Sequence, residues 1–186
     1  LDLNASPAYG CYDVIPAESP LSVYLGYDYI IFAGWNTMTE ELYSRLTEYV
    51  RGGGVLLLSA AHLSIDPARG AKPDIIRGGD LSELFGCRLV GSERLNSGVK
   101  FSRDSFVPGL QYPGTRNFWC DALYGAGFAT YACSELTGGT VRCMLSDSFR
   151  PPAKECFPVL VENRLGKGTA ILCTALDYPG APAVYP

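Results

Sequence analysis

Between residues 27 and 63 the spacing of apolar positions changes twice. Residues 28–33 (DYIIFA) form a short run of aromatic and β-branched side chains that closes at Gly34. Such a run predicts a strand buried on both faces. The spacing then lengthens. Leu42, Leu46, Tyr49 and Val50 fall at i, i+4, i+7 and i+8, which is one apolar stripe of a helix. Thr37 and Glu40 supply a capping box at its start, and Glu41 and Arg45 sit one turn apart on the wetter side. Gly52 is placed to end the helix. Residues 55–58 return to a continuous apolar run. Strand, helix and strand over about 30 residues make a βαβ unit, which requires parallel pairing and a right-handed crossover.

The rest of the chain is read from its punctuation. Residues 1–26 are irregular and proline-bearing, with one short strand expected at 12–15. Residues 64–79 form a loop marked by Asp66-Pro67, Lys72-Pro73 and Gly78-Gly79. A short helix follows, with Asp80 as its cap, Glu83 completing the box and Gly86 as its stop. Residues 87–90 are strand-like, and short β runs are expected at 99–101, 117–119 and 128–133. Residues 141–145 and 159–163 read as strands. Leu165-Gly166-Lys167-Gly168 leaves room only for a tight turn into 169–175, so the flanking strands must be antiparallel neighbours. The fold class is therefore α/β: a parallel core with an antiparallel C-terminal extension.

Composition narrows the function classes. The chain has 186 residues, enough for one domain with a sizeable core, and residues 1–186 are taken as one domain. It carries 15 basic and 19 acidic residues, a net charge of −4, which gives no basic footprint for nucleic acid. No apolar run is long enough to span a membrane. Seven cysteines are present without a CxxC, and His62 is the only histidine. That excludes a zinc site of ordinary spacing, and no metal or cofactor is expected. Cysteines in apolar runs (Cys87, Cys143 and Cys173) fit small buried hydrophobes in a reducing compartment, which favours a cytoplasmic location. The chain opens at Leu-Asp-Leu-Asn and stops at Ala-Val-Tyr-Pro, so it reads as a piece of a longer multidomain protein. The two glycine clusters, Gly52-Gly53-Gly54 and Gly166-Lys167-Gly168, lack phosphate-loop spacing and are turn chemistry.

Three phrases carry a resemblance: YDYIIFAGWNTMTEELYSRLTEYVRGGGVLLLSAAHL, GGDLSELFGCRLVG and VENRLGKGTAILCTALDYPG. Together they resemble the class I glutamine amidotransferase-like superfamily. Within it they are most similar to the trimerisation-type middle domain of bacterial β-galactosidases and related glycoside hydrolases. The resemblance implies a flavodoxin-like three-layer sandwich with a mostly parallel sheet. It also implies that a first strand and helix precede the strand at 12–15, which this chain lacks or carries in altered form. In active members the strand after the helix leads into Gly-x-Cys-x-Gly, where a strained turn presents a thiolate. Here the turn reads Ser59-Ala60-Ala61-His62-Leu63, so Ala61 takes the nucleophile's place. A methyl group cannot attack an amide carbon. The family's His-x-Glu pair is expected near the last strand, where this chain reads Asp177 to Ala181 without a histidine.

These readings give a principal expectation and two alternatives. The first is a non-catalytic structural or oligomerisation domain of a carbohydrate-processing, glycoside hydrolase-like protein. Its partners would be other domains of the parent chain and a second copy of itself. The second is a divergent hydrolase using Ser59, with His62 as base and Asp66 as orienting carboxylate, or an acidic pair from Asp66, Asp74, Asp80 and Glu83. The third is a carbohydrate-binding module in which Trp35 and Trp119 stack against sugar rings. Against the last two stand ordinary explanations. Ser59 can cap the turn, Asp80 and Glu83 can cap a helix, and tryptophans are commonly core residues.

Overall fold

The computed structural model describes residues 12–32, 36–67, 74–95, 99–102, 117–120, 129–146, 155–174 and 176. The predicted βαβ unit is present. Strand β1 (Tyr29–Ile31) and strand β2 (Val55–Ser59) pair in parallel, with Tyr29 opposite Val55 and Ile31 opposite Leu57. A short helix α1 (Leu21–Tyr24) precedes them, and helix α2 (Glu40–Gly52) crosses between them. The N-cap of α2 is Thr39 rather than Thr37: its Oγ1 accepts the Leu42 N–H at 3.1 Å. Glu40, expected in the capping box, instead bonds Arg77. The helix ends one residue later than expected, at Gly53, whose φ of 126° favours glycine. Its apolar stripe, Leu42, Tyr43, Leu46, Tyr49 and Val50, is buried.

Residues 60–63 turn as a 3-10 helix, and a bridge from Ser64 to Ile75 closes the base of the following loop. A second 3-10 turn (Ile76–Gly79) leads through β3 (Asp80–Leu81) into α3 (Ser82–Phe85). The N-cap of α3 is Leu81 rather than Asp80, although Asp80 Oδ1 still accepts the Ser82 N–H at 3.2 Å from one residue earlier. Gly86, with φ of 65°, ends α3 as expected. Glu83 does not reach back as a box residue; it pairs with Arg51 and Arg77.

The strands that follow are β4 (Cys87–Leu95), β5 (Val99–Ser102), β6 (Asn117–Cys120), β7 (Ala129–Leu136), β8 (Thr140–Ser146), β9 (Glu155–Leu165) and β10 (Gly168–Cys173). The main sheet has the order β1-β2-β10-β9-β8. Its β2–β10 pair is parallel, while β10–β9 and β9–β8 are antiparallel. Parallel pairs thus equal antiparallel pairs, and the sheet is mixed rather than mostly parallel. The tight turn at Gly166-Lys167 forces the antiparallel β9–β10 pairing, as the sequence predicted. A separate sheet, β3-β4-β7, is antiparallel, and β5 pairs with β6 alone.

Two expectations about the first strands are corrected. Residues 12–15 form no strand; Tyr12 and Val14 are exposed, and among the described residues no strand pairs with them. β1 is not covered on both faces. Ile30 is buried toward the core, but Tyr29 is 71% and Ile31 61% exposed. Register extends this open face across the sheet through Val55 and Leu57, then Thr169 and Ile171, all half-buried. The opposite face, Ile30, Leu56, Leu58, Ala170, Leu172 and Val161, is buried in the same apolar core as α2. Burying a Val, Leu or Ile side chain stabilises by about 1.5–3 kcal/mol, so this face contributes substantially to the fold's stability.

Candidate functional site at the carboxyl ends of the parallel strands

Ligands of open α/β sheets bind beyond the carboxyl ends of the strands, which directs attention to the ends of β1, β2 and β10. β2 ends at Ser59, and the chain enters the 3-10 turn with Ala60, Ala61, His62 and Leu63 all buried. The turn is tight enough to fold His62 back onto the strand end. Its Nδ1 accepts the Ser59 N–H at 3.1 Å, and Ser59 Oγ lies 3.0 Å from the same nitrogen. A nitrogen that accepts an N–H presents its lone pair, so Nδ1 faces the strand end as an acceptor. His62 thereby fills the place of Glu or Gln in a capping box.

The residue is held from two further sides, one at its ring and one at its backbone. Phe32, just past β1, meets it edge-on with 5.6 Å between centroids. Asn36 Nδ2 donates to the His62 carbonyl at 3.0 Å. The Asn36 Oδ1 is buried without a hydrogen-bond partner. At the end of β10, Thr174 is buried, its N–H bonded to the Val159 carbonyl and its hydroxyl to that of Pro158. The cluster is closed: Ser59 is 3%, Ala61 2% and His62 0% exposed. A nucleophile and its base need an open face toward substrate and donors aimed at the developing oxyanion.

Ser59 and His62 are therefore brought together, as their spacing allowed. Asp66 lies at the exit of the turn, half-buried, with its N–H donated to Ser64 Oγ at 3.2 Å. Trp35 lies outside the described residues. Trp119 lies on β6 opposite Lys100, in the two-stranded sheet rather than at the end of β2; its side chain is outside the description. Of the acidic residues, Asp74 is exposed and its carbonyl accepts the Ile65 N–H. Asp80 is drawn below its ordinary pKa by the Ser82 hydroxyl and N–H and by Arg88. Glu83 faces two guanidinium groups. Among the described residues, no group of three His, Cys, Asp or Glu side chains gathers in a metal-binding arrangement. Sequence reasoning missed Asn36 and Phe32. Their signal was position alone: both lie just beyond β1, where the neighbouring strand's turn must pack.

No protein-family model and no curated protein matches the chain. Solved structures do match in fold. The α-L-fucosidase isoenzyme 2 from Paenibacillus thiaminolyticus is 17% identical over 88% of this chain and 23% of that one, with a TM-score of 0.57. The β-galactosidase from Rahnella sp. R3 is 19% identical over 92% of this chain and 23% of that one, with a TM-score of 0.54. A cytoplasmic protein from Salmonella typhimurium LT2 is 15% identical over 90% of this chain and 68% of that one, with a TM-score of 0.53. The chain spans less than a quarter of either glycosidase. At these identities the likeness is one of fold: a mixed α/β domain of a kind found within larger glycoside hydrolases.

Proposed function

We propose that this chain is a non-catalytic structural domain of a larger carbohydrate-processing protein of glycoside hydrolase type. In this reading it is an amidotransferase-like, flavodoxin-related scaffold that has lost the nucleophile and histidine, and it joins its parent to a second copy. The observation that carries the reading is Ala61. It occupies the nucleophile's place, 2% exposed, inside a turn whose serine and histidine are occupied with local hydrogen bonds. Chemistry at this point would need a reactive atom with room for a substrate, and the burial of Ser59 and His62 beside Ala61 speaks against both.

The open sheet face supports the joining role. Parallel strands are ordinarily covered on both faces, yet here Tyr29 and Ile31 stand exposed beside half-buried Val55, Leu57 and Ile171. Sedimentation velocity over a concentration series tests it. The chain is expected to self-associate in the micromolar range, and Tyr29→Glu with Ile31→Glu to weaken association by about 30-fold or more, the loss of one interface hot spot. A chain that stays monomeric at high micromolar concentration, or a double variant that associates unchanged, overturns the joining role.

A further inference from the structure

Strand β1 lies at one end of the main sheet, and among the described residues it pairs only with β2. We propose that its outer edge docks against the same strand of a second copy. The two strands pair antiparallel about a two-fold axis, so that the main sheet runs on through both copies. The inference rests on the joining of two copies argued above and names the contact that makes it.

The β1–β2 ladder decides which backbone groups are left at this edge. The Val55 N–H donates to the Asp28 carbonyl and the Phe32 N–H to the Leu57 carbonyl, both at 2.9 Å. In a parallel ladder every second residue turns its N–H and carbonyl toward the neighbour. With Ile30 opposite Leu56, residues 28, 30 and 32 therefore face β2. Tyr29 and Ile31 turn their N–H and carbonyl groups outward. Such an edge is a template for another strand, and proteins commonly blunt it with lysine, proline or a bulge. Residues 29–32, Tyr-Ile-Ile-Phe, carry neither charge nor proline, and the β1–β2 register runs without a bulge. Only the shortness of β1, three residues, limits the edge.

Self-complementarity selects the occupant. With two copies turned antiparallel about Ile30, Tyr29 of each stands opposite Ile31 of the other. These are the residues whose backbone groups point outward, so each opposed pair exchanges both of its hydrogen bonds. The Tyr29 and Ile31 side chains, 71% and 61% exposed in the single chain, then meet as aromatic–aliphatic pairs on the open face. No like charges are brought together, because Asp28 falls opposite Phe32. The half-buried stripe through Val55, Leu57 and Ile171 becomes one apolar band across both copies. A contact of this kind is isologous, and it closes at two copies.

The test combines sedimentation of the full chain with residue-resolved amide hydrogen exchange, each above and below the association midpoint. Association is expected to stop at the dimer. The Tyr29 and Ile31 amides are expected to exchange about tenfold or more slowly in the dimer, with a much smaller change at Ile30 and Phe32, which already bond β2. Ile31→Pro removes one outward N–H from each copy and leaves the β1–β2 bonds in place; edge strands tolerate proline where the nitrogen faces away from the ladder. It is expected to weaken the dimer by about 30-fold, the order of two hydrogen bonds. Val90→Glu, on an exposed apolar residue of β4, is expected to leave association unchanged. The exchange measurement on the wild-type chain stands even where the proline variant fails to fold. A chain that stays monomeric overturns the joining role and this contact with it. Association in which Tyr29 and Ile31 exchange as fast as in the monomer, or which closes at three copies, or which Ile31→Pro leaves intact, overturns the edge pairing alone.

Discussion

Replacing His62 by alanine removes a fully buried ring and is expected to be among the most destabilising substitutions in the chain. Truncating a large buried side chain costs about 2–5 kcal/mol through lost transfer energy and the cavity left behind. The Ser59 N–H loses its acceptor, Nδ1 at 3.1 Å, which adds about 1–3 kcal/mol for a buried donor. The edge contact with Phe32 accounts for about 0.5–1.5 kcal/mol. These contributions overlap, and the expected total is about 3–5 kcal/mol. For a domain of this size, that lowers Tm by about 6–20 °C. Glutamine is the discriminating partner, because its Oε1 can accept the same N–H from the same capping position. His62→Gln is expected to cost about 1–2 kcal/mol. Urea denaturation of both variants, with the slope checked against wild type, measures the difference. A His62→Ala variant within about 0.5 kcal/mol of wild type would refute the packing account, since that is the level of an ordinary surface substitution. A glutamine variant as damaged as alanine would refute the capping account.

Three further outcomes follow from named groups. The Tyr49 hydroxyl donates to the Tyr27 carbonyl at 3.0 Å, so Tyr49→Phe is expected to cost about 1–1.5 kcal/mol in urea denaturation. Burial also pushes the Tyr49 phenol up to about 12. The unfolded chain therefore ionises first, stability is complete below pH ~10 and falls as pH rises toward the folded value, and the phenylalanine variant is expected to lose less across that interval. Arg142, bonded to Glu162 at 2.8 and 3.0 Å, holds that carboxylate below its ordinary range. The stability difference between wild type and Glu162→Gln should be full near neutrality and vanish as pH falls through the folded pKa; a difference that grows on acidification would contradict the sign. Burial raises the Cys87 thiol to about 11, so peptide-resolved alkylation at pH ~8 should modify Cys87 only in denaturant, and rapid labelling of native protein would contradict the burial.

The βαβ unit was legible because a helical stripe between two apolar runs admits few other arrangements. The β9–β10 hairpin was legible because Leu165 to Gly168 leaves no room for a crossover. The N-cap shifted from Thr37 to Thr39 because two threonines compete at that helix start, and Glu40 was drawn to Arg77 from a distant segment. The open face was not legible. A run such as Tyr-Ile-Ile reads the same whether its outer side is covered or awaits a partner, and only register shows which side chains stand free of the core. β4 and β7 were shortened in the sequence reading, since polar Arg88, Ser92 and Glu93 interrupt the apolar signal in a small sheet. At the candidate site, the small apolar pair Ala60-Ala61 was legible, and both residues are buried. The back-folding of His62 onto Ser59 depends on the 3-10 turn, which no residue pattern specifies. The Arg77 cluster was hidden because Gly78-Gly79 read as a simple turn, whereas the left-handed conformation begins at the arginine before them.

The central claim, that the end of this sheet carries no working nucleophile, is tested most directly by exposing the native chain to a fluorophosphonate serine probe and measuring intact mass. The account predicts unmodified protein, with Ser59 labelled no faster in wild type than after His62→Gln. A stoichiometric adduct on Ser59 of the native chain, abolished by Ser59→Ala, would contradict it.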